Sequence, residues 1–68
     1  MRKYKEITDQ MCGSFLREMR EFGYPNISMG TVRAVADQLQ AGTYNKSNVI
    51  AVMFAHTLDD LGHFEETV

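Results

Sequence analysis

Val49-Ile50-Ala51-Val52-Met53-Phe54-Ala55 contains no polar side chain. A helix that packs on one side needs a single apolar stripe, so a helix apolar all round must be covered on more than one side. The run continues into His56-Thr57-Leu58-Asp59-Asp60-Leu61, closed by Gly62. The spacing predicts a helix over about 47–61, with three possible caps before it in Thr43, Asn45 and Ser47. At about 100° per residue, Ile50, Met53, Phe54, Thr57, Leu58 and Leu61 fall together and are the expected core face. Val49, Ala51, Val52 and Ala55 spread round the back. Either another part of the chain or a second chain is needed to enclose them, and Val49, Val52, Ala55 and the neighbouring His56 are the candidate protein-interface residues.

Working back along the chain, Ser28 can cap a helix over about 29–40, and Ile27 can pack on Val32 as a staple. Val32, Val35, Ala36 and Leu39 form its stripe, and Gly42 supplies the exit. Arg33, Asp37 and Gln38 are expected on its exposed side. Further back, Tyr4, Ile7, Met11, Phe15, Met19 and Phe22 recur at spacings of three and four, which predicts a first helix over about 3–22, ended by Gly23 and Pro25. Lys5/Asp9 and Arg17/Glu21 would be i,i+4 pairs on its outside. Cys12-Gly13-Ser14 is a run of small residues in mid-helix, which a close helix crossing would explain. The expected fold is therefore all-α: a compact three-helix bundle forming one domain over 1–68, with 62–68 a flexible tail.

Sixty-eight residues allow one small core. Cys12 is the only cysteine, so no internal disulfide can brace it. Neither a signal-peptide pattern nor a span of about 18 apolar residues is present, and the reading is a soluble, cytoplasmic protein without a membrane segment. The net charge of −2 is unevenly spread: residues 1–33 carry six Lys/Arg against four Asp/Glu, and residues 34–68 carry one against five.

His56, Asp59, Asp60 and His63 would share a face of an unbroken helix, a spacing that could hold zinc. Gly62 ends the helix before His63, so no metal is expected. No cofactor and no small-molecule substrate is inferred. Glycines occur singly, which excludes a phosphate-cradling loop, and neither Ser14, Ser28 nor Cys12 has a histidine nearby in sequence to act as its base. The expectation is that the protein is not an enzyme.

Thr31-Val32-Arg33-Ala34-Val35-Ala36-Asp37-Gln38-Leu39 resembles the first helix of a helix-turn-helix unit, and another helix follows a glycine-containing connection. The resemblance implies a DNA-binding regulator using helices 29–40 and 47–61, with Arg33, Lys46, Ser47 and Asn48 as DNA contacts. The connection from Ala41 to Lys46 is longer than the turn of that motif, and the second helix offers mainly apolar residues and two aspartates. Phosphate contacts dominate nucleic-acid affinity. The sequence therefore argues against nucleic acid and for a non-catalytic protein-protein interaction module: a small adaptor, inhibitor or regulator, pairing with itself as a homodimer or with another protein.

Overall fold

A computed structural model describes residues 3–65. Three helices follow in order: α1 (Asp9–Glu21), α2 (Met29–Ala41) and α3 (Val49–Leu61). Together they make a compact all-α three-helix bundle. The helix α2 packs against both of the others, and α1 meets α3 where the rings of Phe15 and Phe54 stack with centroids 4.2 Å apart and 6° between planes. Each fully buried side chain of this size stabilises the fold by roughly 1.5–3 kcal/mol. The core combines Cys12, Phe15, Leu16 and Met19 of α1, Val32, Val35, Ala36 and Leu39 of α2, and Ala51, Phe54, Ala55 and Leu58 of α3.

Local chemistry sets the helix ends. Thr8 caps α1 by accepting from the Met11 N–H, and Ser28 caps α2 by accepting from the Thr31 N–H. Asn48 caps α3, its Oδ1 accepting from the N–H groups of Ile50 at 3.0 Å and Ala51 at 3.4 Å. None of the three residues expected to cap α3 does so. Asn45 instead folds the approach, accepting from the Ser47 N–H with its side chain and from the Asn48 N–H with its carbonyl. Gly42 and Gly62 end α2 and α3 in the left-handed conformation, with φ of 75° and 70°. An L side chain there costs roughly 1 kcal/mol or more, which is why glycine stops these helices cleanly.

The first helix begins six residues later than its periodicity predicts. Tyr4 and Ile7 are buried as expected, 3% and 1% exposed, but on a non-helical segment that precedes Thr8. There Tyr4 forms an isolated antiparallel bridge with Phe64. The Glu65 N–H donates to Lys3 O at 2.9 Å and the Tyr4 N–H to Leu39 O at 3.3 Å. Two expectations are corrected by this. Lys5 and Asp9 cannot form a helical i,i+4 pair, and Asp9 pairs with Arg33 instead. Residues 62–65 are no loose tail, because three contacts tie them to residues 3–6: the bridge, the Glu65 bond, and His63 Nε2 lying 2.6 Å from Glu6 O. The rest of the expected tail, 66–68, lies outside the described residues.

Gly13 is not a point of close helix crossing. A Cβ built there would lie 3.5 Å from the Met29 methyl, an ordinary van der Waals distance.

Candidate functional site

The buried face of α3 is rotated from the expected one. Ala51, Phe54, Ala55 and Leu58 are buried, Ile50 and Met53 are half-buried, and Leu61 is 69% exposed. The small residues Ala51 and Ala55 point inward, 0% and 7% exposed. The large ones flanking them look sideways. This rotation gives α3 two flanks of different kinds.

One flank carries Val52, Ala55, His56 and Asp59. It faces the N-terminal segment and the α2–α3 connection across a shallow depression of about 230 Å³, also bordered by Tyr4, Tyr44 and Lys46. The Tyr4 hydroxyl donates to Asp59 Oδ1 at 3.0 Å, and its ring meets Tyr44 edge-on with centroids 6.2 Å apart. Burial, followed by the Asp59 hydrogen bond and charge and then Tyr44, pushes the Tyr4 phenol well above its usual range. The phenol stays protonated and keeps donating. Of the four candidate interface residues, Ala55 is buried within the chain, Val52 is half-buried, His56 is exposed, and Val49 is 58% exposed at the start of the helix.

The other flank meets α1 through the Phe15–Phe54 stack. Met11, Phe15, Phe54, Leu58 and Leu61 line an apolar groove of about 280 Å³ between α1 and α3, with Gln10, Ser14, Glu18 and Thr57 as its polar lining. The groove continues, through Glu18, Thr57 and Leu61, into a depression reached also by Glu21, Phe22 and Asp60. Phe22 is 70% exposed there. Phe15, Phe54 and Leu58 are buried beneath the groove, so its accessible apolar surface comes from half-buried Met11 and exposed Leu61 and Phe22. Isolated apolar side chains on a surface are ordinary, and two large ones bordering one depression make it a candidate contact surface. The periodicity assigns Leu61 to the core of the third helix and Phe22 to the apolar face of the first, and both are exposed instead, Phe22 because it lies just past the end of α1. The signal that could have found this groove is the pairing of Phe22 and Leu61 just before Gly23 and Gly62: two helices that each end at an exposed large apolar residue.

The DNA-contact candidates are differently engaged. Arg33 is half-buried rather than on the outside of α2, and all five of its N–H donors are used. Nε and Nη2 donate to Asp37 Oδ1 at 3.1 and 2.9 Å, and Nη2 also reaches Gln40 Oε1 at 3.0 Å. Nη1 donates to Ile7 O at 2.7 Å and to Asp9 Oδ1 at 3.2 Å. Gln40 Oε1 in turn accepts from the Ile7 N–H at 2.8 Å. Burial lowers the Arg33 pKa, but the hydrogen bonds to Asp37 and Asp9 and nearby charge raise it by more. The guanidinium is a clamp holding the N-terminal segment on α2. Asn48 is spent as the cap of α3, while Lys46 and Ser47 are exposed in the connection before it.

Cys12 is fully buried, and burial above all raises its thiol pKa. A thiol held protonated in the core is a poor nucleophile. Of the four residues weighed as metal ligands, Asp59 accepts from Tyr4 and His63 lies off the helix face against Glu6 O. Among the described residues no group of three or more His, Cys, Asp or Glu side chains is placed to hold a metal ion. No described helix is long and apolar enough to cross a membrane. No protein-family model matches the chain, and no curated protein or solved structure is significantly similar to it.

Proposed function

We propose that the protein is a non-catalytic binding module that takes a segment of another polypeptide into the groove between α1 and α3, in a cytoplasmic setting. The observation that carries this reading is the apolar surface that half-buried Met11 and exposed Leu61 and Phe22 present along one groove and its continuation. Helix-in-groove recognition uses such a surface, with anchors on the ligand at i, i+3, i+4 and i+7. The polar lining supports binding rather than chemistry: it has hydroxyls and a carboxylate but no histidine, and Thr57 Oγ1 donates to Met53 O within its own helix.

The reading moves the interface away from Val52 and Ala55, which border the flank occupied by Tyr4 and Tyr44. The test is to select helical peptides on the immobilised protein and map their footprint by amide and methyl chemical shifts. The expected footprint covers Met11, Phe15 and Leu61, and binding is lost in the double variant Phe22→Ser, Leu61→Ser but retained in Val49→Ser. A footprint on Val52 and His56, or peptides indifferent to the double variant, would reject the proposal.

A further inference from the structure

The charges around the groove are one-sided. Every charged residue bordering the groove and its continuation, Glu18, Glu21 and Asp60, is acidic and exposed. Among the described residues none of the three is in an ion pair. The last turns of both α1 and α3 border the same depression, so the partial negative charges of two helix C-termini add to the three carboxylates. The last turn of α3 has no basic residue, and Arg20 in that of α1 does not border the depression. Exposed Phe22 and Leu61 thus sit beside three carboxylates and two helix C-termini.

This arrangement discriminates between occupants. In a twofold dimer the same patch meets itself, so three carboxylates of one copy would face three of the other. Like charges brought together at an interface cost affinity and suppress that pairing. A partner with an apolar stripe and cations at its edge meets the opposite situation: its aliphatic anchors pack on Met11, Leu61 and Phe22, and its Lys or Arg side chains find unpaired carboxylates at the rim. Resting on the groove reading above, we infer that the occupant is an amphipathic helix of a different protein, flanked by basic residues, and not a second copy of this chain.

The chain contains no tryptophan, so one Trp placed in a ligand reports its binding without background. Two peptides of about 16 residues, roughly four turns, would share one Leu/Ala stripe and one Trp, with lysines flanking the stripe in the first and glutamates in the second. At ~20 mM salt the lysine peptide should bind at least about tenfold more tightly, and the gap should close toward ~500 mM salt. The triple variant Glu18→Gln, Glu21→Gln, Asp60→Asn should close it at low salt as well; all three side chains are exposed, and circular dichroism checks that the fold is kept. Equal affinity of the two peptides for the unaltered protein, with both lost in Phe22→Ser, Leu61→Ser, would overturn the charge inference and leave the groove standing. Binding of either peptide that ignores the double variant would overturn the groove itself. A concentration-dependent dimer that Leu61→Ser dissolves would also overturn the inference, since a second copy would then be the occupant.

Discussion

The two flanks of α3 are built from similar material and end differently. On one, Val52 and Ala55 lie beside the N-terminal segment, with Tyr4 buried and bonded to Asp59. On the other, Phe54 stacks on Phe15 of α1 and, with buried Leu58, lies beneath a groove that ends at exposed Leu61. Apolar content alone does not distinguish an internal face from an interface. What distinguishes them is whether the chain supplies something to lie on the face and a polar network to keep it there. The first flank has Tyr4, Arg33 and Gln40; the second has the Phe15–Phe54 stack beneath it and nothing over Leu61 at its end.

The comparison breaks most visibly at Tyr4. Removing this buried ring with Tyr4→Ala should cost about 3–5 kcal/mol, as large-to-small aromatic changes in cores do, read as a drop in the urea midpoint. If stability is unchanged, the N-terminal segment does not close that flank. Arg33→Met keeps the stem but removes the bonds to Ile7, Asp9, Asp37 and Gln40. Because Arg33 is 30% exposed and Asp9 92%, the ion pair itself adds little, and the expected loss of about 1–2 kcal/mol comes mainly from the Ile7 carbonyl and Gln40. Amide exchange at Ile7 and Glu65 should accelerate more than at Leu58.

Raising the pH should loosen the same flank. The Tyr4 phenol is raised in the folded state, so its contribution is fully present below the unfolded value of about 10 and is lost as pH rises above it. Cys12, also raised, acts in the same direction from roughly pH 8.5 upward. Stability should be level near neutrality and fall in the alkaline range, and Tyr4→Phe should flatten the fall above about pH 10 while costing about 1 kcal/mol at neutral pH through the lost bond to Asp59. An alkaline profile identical to that of the unaltered protein would show that Tyr4 is not buried.

Smaller effects sharpen the second flank. Gly13→Ala, with only the Met29 methyl 3.5 Å away, should stabilise the protein by about 0.5–1 kcal/mol in thermal melts; destabilisation would restore a close crossing at that point. Leu61→Ser should change stability by less than about 0.5 kcal/mol while abolishing peptide binding. That separation of fold from binding is what an interface residue shows and a core residue does not.

Most of the architecture is legible in the residues because it is local. Ser28, Gly42 and Gly62 act within a turn of their own position, and the stripe of α2 reads directly. The start of α1 is misplaced because Tyr4 and Ile7 extend the three-four spacing of Met11 and Phe15 into a segment buried by distant contacts. Thr8 followed by Asp9, a cap and an acidic first-turn residue, was the local signal against that extension. The face of α3 is misjudged because side-chain size favours Ile50 and Leu61 as core, whereas packing turns Ala51 and Ala55 inward. Arg33 shows its Asp37 partner at i,i+4, but its bond to the Ile7 carbonyl joins residues 26 positions apart and leaves no trace in a pattern. The groove shares that fate, since an open end is defined by what fails to arrive there.

The bridge between Tyr4 and Phe64 makes the described chain nearly a ring. Its closure spans almost the whole length, so the entropy of bringing the ends together must be met before the contact gives anything back. The α1–α2 and α2–α3 hairpins close much shorter loops and meet a smaller cost. Folding should therefore run from the hairpins outward and finish with a latch, and the first step of unfolding should be the latch lifting. Joining residues 3 and 65 by a short peptide would turn that last step into a covalent fact, slowing the release of Tyr4 while leaving the groove at its own distance from the seam.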